Sequence, residues 1–471
     1  MMTEYLKEID AFVWGPAMLA FMLGTGIFLL IRMRFLPFRR LGYALRCVCG
    51  AEEKAKWENG KRGNRKKGNS FGGVSPLSSL TTELAATIGT GNIVGVATAM
   101  TLGGPGALIW MLLAAFAGLS TKFAESMLSV KYRVRNADGS YSGGPMYTLS
   151  RAFPCRRAGL LLGKAFALFA VFASFGMGNM TQANSVSASL RETFDIGTAQ
   201  SGLVLTILVI LAVIGGIRII SKLTLYMVPC MALFYIIGAL CVIILHIENL
   251  PHGVMEMVRM AFSKEAAAGG MGGAIVASFR DAMRFGISRG VFSNEAGLGA
   301  GGITAAAAET DSPVRQGYIS MTGVFFDTVV ICTLTGLALS ASGVLGMRDE
   351  AGTPLSGAAL TIAAFSTAFG KFGGCFVSIG ICLFAFATII AWEYQGECAF
   401  VFLARGRDCR MCYRFVYGLV TFIGAVCALE TVWELSDIMN ALMAVPNLVC
   451  VLALSGVVCR EMRPHVQKDK K

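Results

Sequence analysis

Charged residues are scarce in this sequence, in which Asp, Glu, Lys and Arg make up 15% of 471 residues. A soluble domain carries about 25% of them. The chain holds three histidines and has neither a zinc-binding HExxH motif nor a paired nucleophile and base. It also has no glycine-rich phosphate loop that ends in Lys-Ser or Lys-Thr. These absences argue against a soluble domain, against an intramembrane enzyme and against a pump driven by ATP.

Apolar residues take the place of the missing charges. They form 55% of the chain, and the mean hydropathy is +0.63. Stretches long enough to cross a hydrocarbon core of about 30 Å recur throughout, which predicts an all-α integral membrane protein with eleven spans. No long soluble insertion separates them, so residues 1–471 are expected to form one membrane domain. The spans are expected at 11–32, 78–100, 105–130, 160–188, 200–219, 222–246, 274–303, 316–341, 372–403, 413–430 and 434–459.

The net charge of +12 is unevenly distributed. Lys and Arg concentrate in alternate loops, whereas the opposite loops, such as Glu192–Asp195 and Asp349–Glu350, are acidic or nearly neutral. The positive-inside rule then places the amino terminus outside and the tail at 460–471 in the cytosol. We therefore expect a multi-pass protein of the cell membrane, the inner membrane in a bacterium. The run KRGNRKK at 61–67 is interpreted as a cytosolic anchor in the lipid bilayer and not as a nucleic-acid site.

The first apolar segment and the cysteines are given structural interpretations. The basic cluster RMRFLPFRR follows the first apolar run and does not precede it, so 11–32 is expected to remain as an additional helix. Most of the fourteen cysteines lie in apolar segments, where they behave as small hydrophobes. Cys409 and Cys412, like Cys47 and Cys49, lie in basic loops without a second well-spaced pair, so we predict no metal centre or cofactor.

Two apolar segments are interrupted by glycine-rich polar runs, ATIGTGNIVG at 86–95 and FSNEAGLGAGG at 292–302. A membrane helix satisfies its backbone groups internally, so an interruption is tolerable only around a cavity or a bound ligand. With the additional helix set aside, the interruptions open two sets of five spans, 78–246 and 274–459. Matched broken helices of this kind indicate the binding site of a secondary transporter built from repeats.

The first interruption contains Thr90, Gly91 and Asn92. Unwinding there leaves N–H groups at the start of the following half-helix, and these suit a carboxylate. It also leaves carbonyls at the end of the preceding half-helix, and these suit a cation such as Na⁺. The alternative is a close helix crossing, since small residues also let membrane helices touch.

The second interruption contains a carboxylate. Such a group is expensive within a membrane unless it is paired or faces water, so Glu295 is a functional candidate. The alternative is a structural ion pair with Arg284 or Arg289. Asp327, in the next span, has three interpretations: it ligates a cation, carries a proton or pairs with Arg. The polar and glycine positions of this interruption include Ser293, Asn294, Glu295 and Gly297.

Polar residues also occur within otherwise apolar helices. Gly178 and Gln182 share one helix face, so Gln182 is placed to face a cavity across a small residue. The alternative for Gln182 is an interhelical hydrogen bond. Thr388 and Trp392 share a face of the span at 372–403, where Thr388 offers an oxygen to Na⁺ and Trp392 a pocket wall. The alternative for that pair is an ordinary packing stripe.

Six sequence runs resemble the alanine/glycine:cation symporter family, also called the sodium:alanine symporter family, of the amino acid-polyamine-organocation superfamily. The resemblance implies the leucine-transporter-like inverted-repeat fold with an additional amino-terminal helix. It also implies uptake of small neutral amino acids coupled to Na⁺, with H⁺ as the alternative ion. An ion-independent exchanger or facilitator and a non-transporting amino acid sensor remain alternatives. The runs are LAATIGTGNIVGVATAMTLGGPGALIWM (84–111), TKFAESMLSVKYR (121–133), GGPMY (143–147), RGVFSNEAGLG (289–299), TDSPVRQG (310–317) and FAFATIIAWEYQGE (384–397).

The resemblance also implies roles for individual residues. The segment 89–92 resembles a Gly-x-Gly-Asn run whose backbone N–H groups hold the substrate carboxylate. The carbonyls of Ala85, Ile88 and Ala385, with the Thr388 hydroxyl, resemble a common sodium site. Glu295 and Asp327 are expected to have structural or gating roles. The residues expected at the substrate are Thr90, Gly91, Asn92, Gln182, Phe292, Ser293, Asn294, Gly297 and Trp392.

Overall fold

The computed structural model of the protein describes residues 2–48, 73–137, 139–263, 265–270, 273–405, 409–427 and 429–467. The basic run at 61–67 and Cys49 lie outside the described residues, so the predictions made for them stay predictions. Almost all of the described chain is helical. The strands form two antiparallel hairpins, β1 (Val134–Arg135) with β2 (Tyr141–Ser142) and β3 (Glu265–Gly270) with β4 (Gly273–Ser278).

The amino-terminal half of the described chain contains thirteen α-helices. A π-helical segment, Gly176–Met180, joins two of them into one long helix. The helices are α1 (Met2–Val13), α2 (Pro16–Arg32), α3 (Leu36–Arg39), α4 (Leu41–Val48), α5 (Pro76–Thr87), α6 (Val94–Leu102), α7 (Ala107–Lys131), α8 (Pro145–Ala152), α9 (Arg156–Phe175), α10 (Thr181–Phe194), α11 (Thr198–Val213), α12 (Gly216–Leu245) and α13 (Leu250–Phe262).

The second half of the described chain contains nine further α-helices. Here the π-helical segment Phe325–Cys332 joins two of them, and it contains Asp327. Cys409 precedes α20 and Cys412 lies in its first turn. The helices are α14 (Phe279–Asn294), α15 (Ala300–Ala306), α16 (Pro313–Val324), α17 (Thr333–Ala341), α18 (Gly357–Phe369), α19 (Phe372–Leu403), α20 (Arg410–Val426), α21 (Leu429–Ala453) and α22 (Ser455–Gln467).

Seven helical stretches of the described chain are long and apolar enough to cross a membrane. The two spans with glycine-rich interruptions are not among them, because each is divided into shorter helices. The spans predicted at 200–219 and 413–430 correspond to α11 and α20, of 16 and 17 residues. The seven stretches are Glu4–Arg32, Ala107–Lys131, Arg156–Phe194, Gly216–Leu245, Pro313–Ala341, Phe372–Leu403 and Trp433–Ala453.

The first break, at 88–93, separates α5 from α6. Helix α5 begins with Pro76, and the Ser75 hydroxyl caps it by accepting the Ser78 N–H at 3.1 Å. It ends because Ile88 leaves the helical region, with φ −77° and ψ 81°, and Gly89 is extended, with φ −125°. A single 3₁₀ turn at 90–92 then leads into α6. The structure therefore contains the interruption predicted for 86–95.

The second break, at 295–299, separates α14 from α15. Glu295, Gly297 and Gly299 have φ of 56°, 94° and 85°, in the left-handed region that favours glycine. The prediction that this span starts at 274 is wrong, because residues 273–278 form β4 and the helix begins at Phe279. Ser278 and Asp281 form a capping box that fixes this start.

The two breaks touch each other in the interior of the protein. A Cβ atom added to Gly91 would lie 3.4 Å from both the Phe292 ring and the Ser293 Cα atom. The half-helices also meet, since α5 packs against α15 and α6 against α14. The Ser79 hydroxyl donates to the Thr304 carbonyl at 2.9 Å and fastens the first of these contacts. Helix α7 lies along α14, α15 and α16 and so supports the second break.

Candidate functional site

The amides of the first break already have polar partners. The Thr90 N–H and hydroxyl both donate to Gln182 Oε1, at 3.1 and 3.0 Å, and the Gly89 N–H donates to Asn92 Oδ1 at 2.9 Å. The predicted interhelical hydrogen bond of Gln182 is therefore present, and it ends on the predicted carboxylate site. The Gln182 oxygen accepts from the Thr90 amide, the group that the sequence predicts for a substrate carboxylate.

Asp327 joins the two breaks through its carboxylate. It accepts from Asn92 Nδ2 at 2.7 Å, from the Ser293 hydroxyl at 3.0 and 3.1 Å and from the Thr328 hydroxyl at 2.7 Å. All four residues are buried. No Lys or Arg among the described residues lies within 4 Å of it, so the interpretation of Asp327 as the partner of an arginine is wrong. Its carboxylate is hydrogen-bonded to neutral donors, and the Lys122 ammonium acts on it from a greater distance.

The predicted cation ligands meet at the end of α5. The Thr388 hydroxyl on α19 donates to the Ala85 carbonyl at 2.9 Å. Gly89 makes this approach possible, because a Cβ atom there would lie 2.5 Å from Thr388 Oγ1. Ile88 lies near Ala85 in the sequence, Ala385 lies near Thr388, and both are buried. Thus the structure brings the two oxygens of Ala85 and Thr388 together, and oxygen is the atom that hard cations prefer.

Trp392 forms a wall between the long helix α9–α10 and the second break. Its indole Nε1 donates to Glu295 Oε1 at 2.7 Å. Gly178 allows the close approach, since a Cβ atom there would lie 2.4 Å from the Trp392 Cβ. The sequence places Gly178 and Gln182 on one helix face; in the structure Gly178 contacts Trp392 and Gln182 contacts Thr90.

Glu295 is not paired with the two arginines that precede it. Arg284 Nη2 lies 3.4 Å from Asp10 Oδ2, and Arg289 Nη2 lies 2.7 Å from Asp437 Oδ2. The interpretation of Glu295 as the ion-pair partner of Arg284 or Arg289 is therefore wrong. Both arginines connect α14 to other helices instead.

Asn294 and Gly297 hold the second break in shape. Asn294 Nδ2 donates to the Thr328 hydroxyl at 3.0 Å, and its Oδ1 accepts the Ala296 N–H at 2.9 Å. The Gly297 carbonyl accepts from Asn447 Nδ2 at 2.9 Å. These polar atoms are engaged within the protein, so both residues have structural contacts besides any contact with a ligand.

The Phe292 ring contacts a second aromatic ring and a charged side chain. It stacks on Trp433, with centroids 5.2 Å apart and an interplanar angle of 21°. The Arg289 guanidinium lies over both rings, 5.6 Å from the Phe292 centroid and 5.2 Å from that of Trp433, and is bound to Asp437 through two hydrogen bonds. Sequence reasoning missed Trp433 and Asp437, because their partners lie more than a hundred residues away.

A buried charged cluster next to the second break was also missed. Lys122 and Glu83 are fully buried, with Nζ 3.2 Å from Glu83 Oε1, and Nζ lies 3.5 Å from the Asn294 carbonyl oxygen. Glu125, one turn along α7, accepts from Asn447 Nδ2 at 2.9 Å. The available signal was a lysine and a glutamate within the apolar run at 105–130, since ionisable residues at such positions are functional candidates.

The broken helices and their buried polar junction define a class of protein, the α-helical membrane transporters. The family model described as "Sodium:alanine symporter family" matches residues 1–471. The chain therefore belongs to the sodium:alanine symporter family. The members of this family are transporters and not enzymes.

Relatives agree with this membership, and a solved structure shares the fold. The chain is 43% identical over 458 residues to the sodium/alanine symporter AgcS of Methanococcus maripaludis. This match covers 97% of this chain and 96% of the relative. It is 35% identical over 464 residues to the probable sodium/glutamine symporter GlnT of Bacillus subtilis, and this match covers 97% of this chain and 89% of the relative. The structure of MhsT in complex with L-phenylalanine matches with a TM-score of 0.55 at 14% identity, covering 81% of this chain and 89% of that one. The last likeness establishes a shared transporter fold.

Proposed function

We propose that the protein is a secondary active symporter that imports alanine or glycine together with Na⁺. The observation that carries this proposal is the buried junction of the two breaks, where Asn92 and Ser293 both donate to Asp327. A site shared by two broken helices is typical of secondary transporters that work by alternating access. Membership in the sodium:alanine symporter family supports amino acids and Na⁺ as the transported species.

The substrate is a small zwitterion in this proposal. Its carboxylate binds the Thr90 and Gly91 amides and displaces the Gln182 oxygen from the Thr90 N–H, while its ammonium lies near the second break. Phe292 and Trp392 are buried and leave room for little beyond a methyl group. The relative named for glutamine makes substrate size a point to be measured, because the two relatives have different named substrates.

Na⁺ binds between α5 and α19 in this proposal. The ligands are the carbonyl oxygens of Ala85, Ile88 and Ala385 and the Thr388 hydroxyl. When the ion binds, the Thr388 hydroxyl turns its hydrogen away from the Ala85 carbonyl, so that both oxygens face the ion. Lowering Na⁺ should then weaken substrate binding, because the coupling between two sites is reciprocal.

The proposed topology has eleven spans, made of an additional amino-terminal helix and two inverted repeats of five. It is supported by the two matched breaks and by the alternation of basic and acidic loops. The amino terminus is outside the cell membrane and the carboxy terminus is cytosolic. Cysteine labelling at Thr3 and Lys470, each replaced singly, by an impermeant reagent on intact cells tests this arrangement.

Uptake by proteoliposomes tests the function. Labelled alanine and glycine should accumulate above the external concentration when Na⁺ is higher outside, and neither should accumulate when K⁺ replaces Na⁺ or an ionophore removes the gradient. Leucine and glutamine, offered as competitors, should inhibit alanine uptake less than glycine does. Equilibration of alanine without any dependence on Na⁺ would favour the ion-independent exchanger. Absence of uptake with retained alanine binding would favour the sensor.

A further inference from the structure

Lys122 is a charged residue for which the proposed transport cycle has no role. It lies on α7, fully buried, between the two broken helices. Its ammonium is 3.2 Å from Glu83 Oε1 on α5 and 3.5 Å from the carbonyl oxygen of Asn294, the last residue of α14. A buried lysine at membrane depth is costly unless its charge is balanced, so the groups that balance it identify the purpose of the cluster.

The cluster contains more negative than positive groups. Three buried carboxylates act electrostatically on the Lys122 ammonium: those of Glu83, Glu125 and Glu295. The charged groups that face Glu295 are Lys122, Glu83 and Asp327. If every carboxylate were ionised, three negative charges would surround a single ammonium in an interior closed to water. A buried charge without a partner is expensive, so at least one carboxylate is expected to gain a proton or a cation.

Glu295 and Glu125 both have hydrogen bonds that allow this at low cost, because each has one oxygen bound to an N–H donor and one buried oxygen without a partner among the described residues. Of the two, Glu295 lies in the break. Glu83 has the ammonium at 3.2 Å. Glu295 Oε1 accepts from the Trp392 indole, whereas Oε2 is buried and has no hydrogen-bond partner within the described part of the chain. A proton on Oε2 therefore leaves the bond to Trp392 intact. The residue also occupies the break itself, in the left-handed conformation, so opening or closing of the break changes its surroundings.

From this geometry we propose that Glu295 is a proton-binding site that is filled when the transporter closes around its substrate. A proton from bulk water adds to Oε2, the carboxylate becomes a carboxylic acid, and no other bond forms or breaks. Lys122 and Glu83 remain an ion pair. When the break opens and water reaches Glu295, the proton leaves again. This inference rests on the proposed function, because it assigns a second bound ion to the same alanine-binding cycle.

Calorimetry of alanine binding in two buffers with different ionisation enthalpies tests the proposal. At one pH and saturating Na⁺, the difference in observed heat gives the number of protons exchanged. Wild-type protein should take up close to one proton per alanine, and the Kd should weaken by up to about tenfold per pH unit as the pH rises. Glu295→Gln, which imitates the protonated side chain, should bind alanine without proton uptake and with a Kd that does not depend on pH.

Two matched variants locate the site. Glu192→Gln alters an exposed carboxylate outside the cluster and should keep the proton uptake of the wild type. Glu125→Gln alters the second carboxylate with a buried unpartnered oxygen and should also keep it. If Glu125→Gln abolishes proton uptake while Glu295→Gln retains it, the assignment to Glu295 is wrong.

Infrared difference spectroscopy of the wild type gives a measurement that does not depend on the folding of any variant. Alanine binding should produce the carbonyl stretch of a newly formed carboxylic acid. Alanine binding with no such band and no proton exchange would overturn this inference and leave the symporter proposal standing. Absence of any alanine binding would instead overturn the proposed function.

Discussion

The two breaks have similar glycine-rich sequences, but their glycines serve different physical needs. In the first break, Gly89 and Gly91 lie outside the left-handed region. Thr388 approaches Gly89 too closely for a Cβ atom, and beside Gly91 the Phe292 ring leaves room for a Cβ atom at 3.4 Å but not for a larger side chain. In the second break, Gly297 adopts a φ of 94°, a conformation that costs other residues energy. The first break thus needs space, and the second needs a backbone conformation as well as space, since a Cβ atom at Gly299 would lie 2.6 Å from Pro145 Cγ.

The breaks also differ in charge. Most polar partners of the first break are neutral amides and hydroxyls, from Gln182, Asn92 and Thr388. The exception is the Asp327 carboxylate, which Asn92 shares with Ser293 of the second break. The second break contains Glu295 and lies beside Lys122. Neutral donors and carbonyls suit a zwitterion and Na⁺, whereas buried carboxylates suit a proton. We infer that ligand binding belongs mainly to the first break and control of closure mainly to the second. Four substitutions can break or sharpen this division.

The largest effect is expected for Gly91→Val. Its branched side chain would extend from a Cβ that already lies 3.4 Å from the Phe292 ring and the Ser293 backbone, so alanine affinity should fall by about 100-fold. Binding is measured by calorimetry, and folding by size-exclusion chromatography and thermal unfolding. Gly91→Ala is the control, because its Cβ makes an ordinary contact and should cost less affinity. Normal transport by a folded Gly91→Val variant would show that the first break does not hold the substrate.

Thr388→Val should raise the Na⁺ concentration for half-maximal uptake by about tenfold, since one oxygen is lost at nearly constant volume. Alanine affinity at saturating Na⁺ should change less. Thr421→Val is a matched control, because this buried threonine donates within its own helix, at 3.3 Å to the Tyr417 carbonyl oxygen. An unchanged Na⁺ requirement in Thr388→Val would remove Thr388 from the cation site.

Gly297→Ala should affect stability more than binding, which is the opposite of the effect at Gly91. The positive φ would strain an alanine by about 1 kcal/mol, and its Cβ would lie 3.2 Å from Leu448. Thermal unfolding in detergent should therefore shift to lower temperature, while alanine affinity stays close to that of the wild type. If stability is unchanged and binding is lost, Gly297 contacts the substrate and the division between the breaks is wrong.

The sequence predicts helices and breaks well, because both depend on local chemistry. Continuous apolar runs give α7, α12 and α19, and clustered glycines with polar neighbours give the breaks. The prediction for the start of the second broken span is wrong for the same reason, because it too depends on local composition. The run before Phe279 is apolar, and apolar composition alone does not separate a short strand from a helix, so the hairpin β3–β4 is not foreseen.

Contacts between side chains far apart in the chain cannot be predicted from one sequence. Arg289 is placed near Glu295 in sequence, yet it binds Asp437, 148 residues away. Lys122 lies in an apolar run together with Glu125, yet its partner Glu83 lies on another helix. In both cases the chemistry of the residue was readable, but the identity of its partner depends on tertiary packing. For the same reason, the sequence predicts that Gln182 faces a cavity or bonds to another helix, but it does not identify the Thr90 amide as the partner.

The smallest effect on binding is expected for Glu295→Gln. The amide keeps the shape of the side chain and an oxygen for the Trp392 indole, so in acidic buffer the alanine Kd should stay within about twofold of the wild type. Transport should nevertheless be slower, because glutamine cannot ionise when the break opens to water. Parallel measurements of binding and of initial uptake rates separate the two quantities, with Glu125→Gln as the control for loss of a buried carboxylate. A folded Glu295→Gln variant that no longer binds alanine would make the charge of Glu295 part of the ligand site, and the second break would then bind substrate as the first does.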